Sequence, residues 1–216
     1  MTLLTMIMKM GDGLSKTCAI FFLTLLFSLP LGMIVALLRM SKSKIISGIT
    51  RFFISILRGT PLMLQLLAVT YGPYYLFGMA VARNKLIPVV IAFAINYAAY
   101  FSEIYRGGIE SMPRGQYEAG AVLGMTKMQV FFKIILFQVI KKIVPPMGNE
   151  IITLVKDTSL ARVIAVYEII WSAQKFAKME GLVWPLFYTG AYYLIFCGVL
   201  TLLFGYIEKK LDYYKG

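Results

Sequence analysis

Histidine is absent from the 216 residues, cysteine occurs twice, and only 15% of the chain is charged. The shortage of charge excludes most. With 59% hydrophobic residues and a mean hydropathy of +0.76, an ordinary soluble domain of this size would have too few polar groups to meet water. The chain therefore reads as an all-α integral membrane protein. Cys18 and Cys197 both lie in apolar runs and read as packing residues, so neither a disulfide nor a metal centre is expected. Acidic residues are also scarce, ten against 22 basic ones, a net charge of +12. In a soluble chain that surplus would suggest nucleic acid; in a membrane chain it marks cytoplasmic loops, and no nucleic-acid partner is expected. A nucleotide site is missing as well. GDGLSKT at 11–17 has no G-K-[ST] at the required distance from a glycine, and it precedes an apolar run rather than following a strand. No small-residue cleavage site ends the first apolar stretch, so no cleavable signal is expected.

What the chain does have is apolar length. A spanning helix needs about 20 apolar residues, because its backbone polar groups must pair internally where water is absent. Four stretches qualify, 14–38, 49–76, 87–105 and 185–207, and a fifth, 142–163, is apolar only in part. Five transmembrane helices with the N-terminus outside and the C-terminus cytoplasmic put thirteen Lys and Arg residues on inner segments and six on outer ones. Reading the fifth stretch as a loop would instead place the basic C-terminal KKLDYYK outside. Pro61 is expected to free the carbonyl of Leu57 and kink the second span, and Pro145 and Pro146 to start the fourth. Tyr71, Tyr74, Tyr75, Trp184, Tyr188, Tyr192 and Tyr193 read as an interfacial belt at the outer ends, and 164–184 as a helix near the external surface.

Two polar features stand out. The first is GQYEAGAVLGMTKMQVFFKIILFQ at 115–138, on the inner side between the third and fourth spans. Apolar positions recur there at helical spacing, and Gly120 and Gly124 lie four apart, where a backbone can approach another surface closely. It reads either as a helix lying at the lipid interface or as one that docks in a groove of a cytoplasmic partner. The second is the fourth span, where Asn149, Glu150, Thr153, Lys156 and Asp157 share one face within an arc of roughly 100°. Ionisable groups at membrane depth are costly, so these face protein, water or one another. They either pair internally or line a substrate path; net negative charge on such a path suits a cationic side chain, and Lys156 suits a carboxylate. Gln65 and Asn96, near mid-membrane, are interhelical hydrogen bonds or pore contacts. Arg58 and Glu103 pair as a gate, or Arg58 reaches the headgroups.

The 115–138 stretch resembles the EAA loop of permease subunits of ATP-binding-cassette importers. Glu118, Ala119 and Gly124 match, followed by Ile134 and Leu136; two positions depart, Gly120 standing where a second alanine is usual and Phe137 where proline is usual. RGTPLMLQ at 58–65, AYFSEIYRGGIESMPRGQYEA at 99–119 and LVKDTSLARVI at 154–164 are similar to the polar amino acid branch, for histidine, arginine, lysine or glutamine. The resemblance extends over 14–206 and implies one transmembrane domain spanning 1–216. It also implies ATPase coupling through Glu118, Ala119, Gly120, Leu123 and Gly124, and no catalysis by this chain. ATP and Mg2+ would be bound by two partner ATPase subunits. A second permease subunit, like or unlike, and an external solute-binding protein would complete the assembly in the inner membrane of a bacterial or archaeal cell. Motion would be by alternating access, with a basic amino acid as substrate. The other reading is a channel or ion-coupled secondary transporter; no internal repeat with paired broken helices is evident, although acidic residues of the fourth span can bind protons.

Overall fold

The structure is a computed structural model that describes residues 3–212, and among them there are helices and short connections but no strand. Helix α1 covers Leu3–Arg39, α2 Lys44–Gly59, α3 Leu62–Phe77, α4 Leu86–Glu110 and α5 Arg114–Val122. A short α6, Lys127–Val130, passes through a π-helical stretch, Phe131–Ile135, into α7, Leu136–Asp157. A 3-10 segment, Thr158–Ile164, follows, then α8, Ile169–Glu180, and α9, Trp184–Leu211.

Three helical stretches are long and apolar enough to cross a membrane: Met10–Arg39, Leu86–Glu110 and Trp184–Leu211. A fourth crossing results if α2 and α3 count as one. The expected second span, 49–76, is thus corrected from a kinked helix to two helices separated by a break and bent by 107° relative to one another. Proline explains the break: at position 61 it has no N–H for the Leu57 carbonyl and its ring collides with the turn before it. Pro61 caps α3 with extended backbone, φ −61° and ψ 133°. A second correction concerns Pro145 and Pro146, which lie within α7 and do not start it. They withdraw donors from the carbonyls of Lys141 and Lys142, two residues that are exposed or half-exposed. α7 itself is less apolar, carrying Lys141, Lys142, Glu150, Lys156 and Asp157 within its 22 residues.

The core is built around α4, which packs most extensively on α1 and also touches α2, α3 and α7. Its Val89, Phe93, Tyr97 and Phe101 are buried against Ile20, Phe21 and Ala36 of α1 and Ile151, Leu154 and Val155 of α7. At 37 residues α1 is about 55 Å long, well beyond the hydrocarbon core of about 30 Å. The excess is N-terminal, where Met10 packs with Ile169, Ala173 and Phe176 of α8. GDGLSKT is simply part of this helix. At the opposite end of the bundle Arg39 donates to Ser47 at 2.9 Å, Arg106 pairs with Glu103 at 2.6 Å, and Lys142 reaches the Ser111 carbonyl at 3.3 Å. The outer-segment helix expected within 164–184 is α8, and Glu168 caps it by accepting from the N–H groups of Ile170 and Trp171 at 2.7 and 2.8 Å.

Candidate functional site

The polar face of α7 survives folding. Asn149, Thr153 and Lys156 are exposed, while Glu150 and Asp157 are half-buried. The Thr153 hydroxyl donates to the Asn149 carbonyl one turn back, at 2.9 Å. Asp157 accepts a 2.7 Å hydrogen bond from the Tyr97 hydroxyl of α4. Among the described residues no salt bridge within 4.0 Å joins Lys156 to Glu150 or to Asp157, although the Lys156 charge lies near enough to act on Asp157. The face therefore carries one ammonium and two carboxylates along one helix.

Tyr97 leads to residues that sequence reasoning left out of the site. Its ring lies 6.3 Å from that of Tyr100, and the Arg58 guanidinium stands 5.0 Å over the Tyr100 ring. Arg58 therefore belongs to this cluster and is not paired with Glu103, whose carboxylate is taken by Arg106 and approached by Arg39 at 3.9 Å. The two tyrosines, three apart within an otherwise small and apolar run, were the available signal.

Gln65 and Asn96 are brought together, but at the break between α2 and α3. Gln65 Nε2 donates to the Leu57 carbonyl at 2.8 Å and to Thr60 Oγ1 at 2.9 Å. Asn96 Nδ2 donates to the same Leu57 carbonyl at 3.2 Å and to Gln65 Oε1 at 2.9 Å. The acceptor that Pro61 strands inside the bundle thus receives two side-chain donors.

The 115–138 stretch is not one helix. α5 ends at Val122, Gly124 adopts a left-handed φ of 71°, and Thr126 starts the next helix with a reciprocal capping box to Gln129. Gly120 and Gly124 consequently do not form a shared contact stripe. Gly120 is buried, and a Cβ there would collide with Val130 Cγ2, so its close approach is internal. Glu118, Ala119 and Leu123 are exposed, and Val122, at 88% exposure, is the most open large apolar residue among those described. α5 is thus a nine-residue helix with an open apolar edge and one exposed carboxylate, braced from behind by Val130.

An apolar helical bundle with a polar face on α7 and an exposed short helix at its basic end fits the permease of a multi-subunit transporter. Residues 28–213 match the family described as binding-protein-dependent transport system inner membrane component, and the chain belongs to that family. It is similar to the L-cystine transport system permease protein TcyB of Bacillus subtilis, 38% identical over 208 residues, 95% of this chain and 87% of that one. The arginine transport system permease protein ArtQ of the same organism is 33% identical over 93% of this chain and 91% of its own. A crystal structure of an amino acid ABC transporter with histidines superposes with a TM-score of 0.86 at 31% identity, covering 97% of this chain and 99% of that one. This chain is a permease subunit of an amino acid ABC importer, an inner-membrane component.

Proposed function

We propose that the chain crosses the membrane five times, N-terminus outside and C-terminus inside, and passes an amino acid with a cationic side chain along the polar face of α7. The placement of Glu150, Lys156 and Asp157 on one face, with no salt bridge joining them among the described residues, carries this reading: Lys156 takes the α-carboxylate, and the two acidic groups take the ammonium and the side chain. The five crossings count α2 with α3 as one and α7 with the 3-10 segment as another, which leads the chain from its basic end back to α8. Two copies of a permease, this chain twice or with a related one, would pair with two ATPase subunits that bind ATP and Mg2+. An external binding protein would deliver substrate. α5 would transmit closure of the ATPase subunits, and the spans would alternate access to the polar face of α7.

A second reading, cystine, is favoured by the 38% identity to TcyB and by Arg58, which adds a cation to the cluster through Tyr100. One experiment separates the two. In the reconstituted complex, arginine, lysine, histidine, glutamine and cystine uptake is compared between wild type and Glu150→Gln. Loss of a charge-assisted hydrogen bond is expected to weaken the basic substrates about ten- to hundredfold while sparing cystine. An unchanged ratio of arginine to cystine uptake refutes the basic assignment. Lys156→Met is expected to weaken all five alike, since the carboxylate is common to them.

A further inference from the structure

We propose that a groove between α1 and α4, together with the basic cleft adjoining it, binds one anionic phospholipid. The groove has a volume of about 480 Å³ and is lined wholly by apolar side chains, Leu23, Phe27 and Leu31 from α1 facing Ile87, Ile91 and Ile95 from α4. Leu86 lines this groove and also a second cleft of about 390 Å³ bounded by Lys16, Arg83 and Lys85. The two spaces therefore adjoin at this residue. Lys16 precedes Leu23 by two helical turns and lies on the same stripe of α1. The trough from Leu86 to Ile95 runs about 13 Å along α4, enough for the upper part of an acyl chain.

Charge identifies the head. Among the described residues no carboxylate lies within 4.0 Å of Lys16, Arg83 or Lys85, and only the Tyr167 ring, 5.4 Å from the Lys16 ammonium, engages one of them. Three cations with no carboxylate partner, beside the first turn of α4 and next to an apolar trough, match a phosphate headgroup beside its own acyl chain. An acidic protein segment would satisfy the cations and leave the trough empty. A second copy related by a twofold axis would fill the trough but bring like surfaces together, setting these cations toward their counterparts.

The test uses the purified transporter complex in detergent, titrated with phosphatidylglycerol or phosphatidylcholine of identical chains, with retained lipid counted by native mass spectrometry. Phosphatidylglycerol is expected to be held at least tenfold more tightly. Arg83→Gln and Lys85→Gln should each reduce that preference roughly fivefold, and Ile91→Trp, at an exposed groove position, should weaken both lipids. Glycerol 1-phosphate should not displace the bound lipid. Equal retention of the two lipids by wild type overturns the site without relying on any variant. So does a preference untouched by the charge variants, displacement by glycerol 1-phosphate, which would mark a free-anion site, or an Ile91→Cys disulfide between two copies, which would mark a subunit interface.

Discussion

Val130 has its two methyl groups where a side chain at position 120 would need space. Because Val130 is β-branched, 2% exposed and fixed in rotamer, the missing methyl of Gly120 is what lets α5 fold back on α6. Gly120→Ala is expected to cost about 1–3 kcal/mol through overpacking. Val130→Ala should restore most of the loss, since the nearest remaining atom is then Val130 Cβ at 3.4 Å. Thermal unfolding of the two single variants and the double variant checks this, and additive losses would refute it. The Leu57 carbonyl offers a parallel case. Asn96→Leu removes one of its two side-chain donors and strands Gln65 Oε1, so a loss of about 1–3 kcal/mol in stability is expected. If Asn96 acts only as a support, the molecules that still assemble should transport with unchanged selectivity.

Helix α8 starts at a buried acid. Burial lifts the Glu168 carboxyl above its ordinary value of 4.5, while the N–H groups of Ile170 and Trp171 and the Arg162 charge pull it back. The folded chain then binds this proton more tightly than the unfolded chain. The group's contribution to stability is absent above the raised value, grows as pH falls through it, and is complete below 4.5. The melting temperature of wild type minus that of Glu168→Gln should therefore increase between pH 7 and pH 5; a decrease would contradict the burial argument. Glu168→Ala also removes the cap, at about 0.5–2 kcal/mol. The existence of the helices was legible in the sequence, because apolar runs at 14–38, 87–105 and 185–207 leave a chain in lipid no other way to pair its backbone. Their breaks were less so. Pro61 announced a disruption, but the angle between α2 and α3 depends on donors from residues 65 and 96, the latter from another helix. Pro145 and Pro146 misled for the converse reason: the carbonyls they release lie at a polar end where little is lost. The polar face of α7 was readable from spacing alone, whereas its union with Tyr97, Tyr100 and Arg58 is a product of packing between helices.

For the whole molecule, the direction of insertion is the statement most open to test. Thirteen basic residues on the segments expected inside against six outside predict that Val122→Cys is shielded from an impermeant thiol reagent added externally, while Val81→Cys is labelled. Cys18 and Cys197 are replaced first, and the reverse labelling would invert the molecule and detach α5 from any cytoplasmic partner. Between α5 and the polar face of α7 lies the π-helical stretch Phe131–Ile135. A π turn is geometrically an α-helix with one residue too many. Deleting one residue from 131–135 should let α6 and α7 fuse into a regular helix with the polar face still aimed as before. The same deletion anywhere later in α7 would turn all that follows by about 100° and carry Glu150 or Asp157 toward the lipid. The stretch is thus the one point where this helix can shorten without losing its heading, a place where an ancestral insertion would leave its scar.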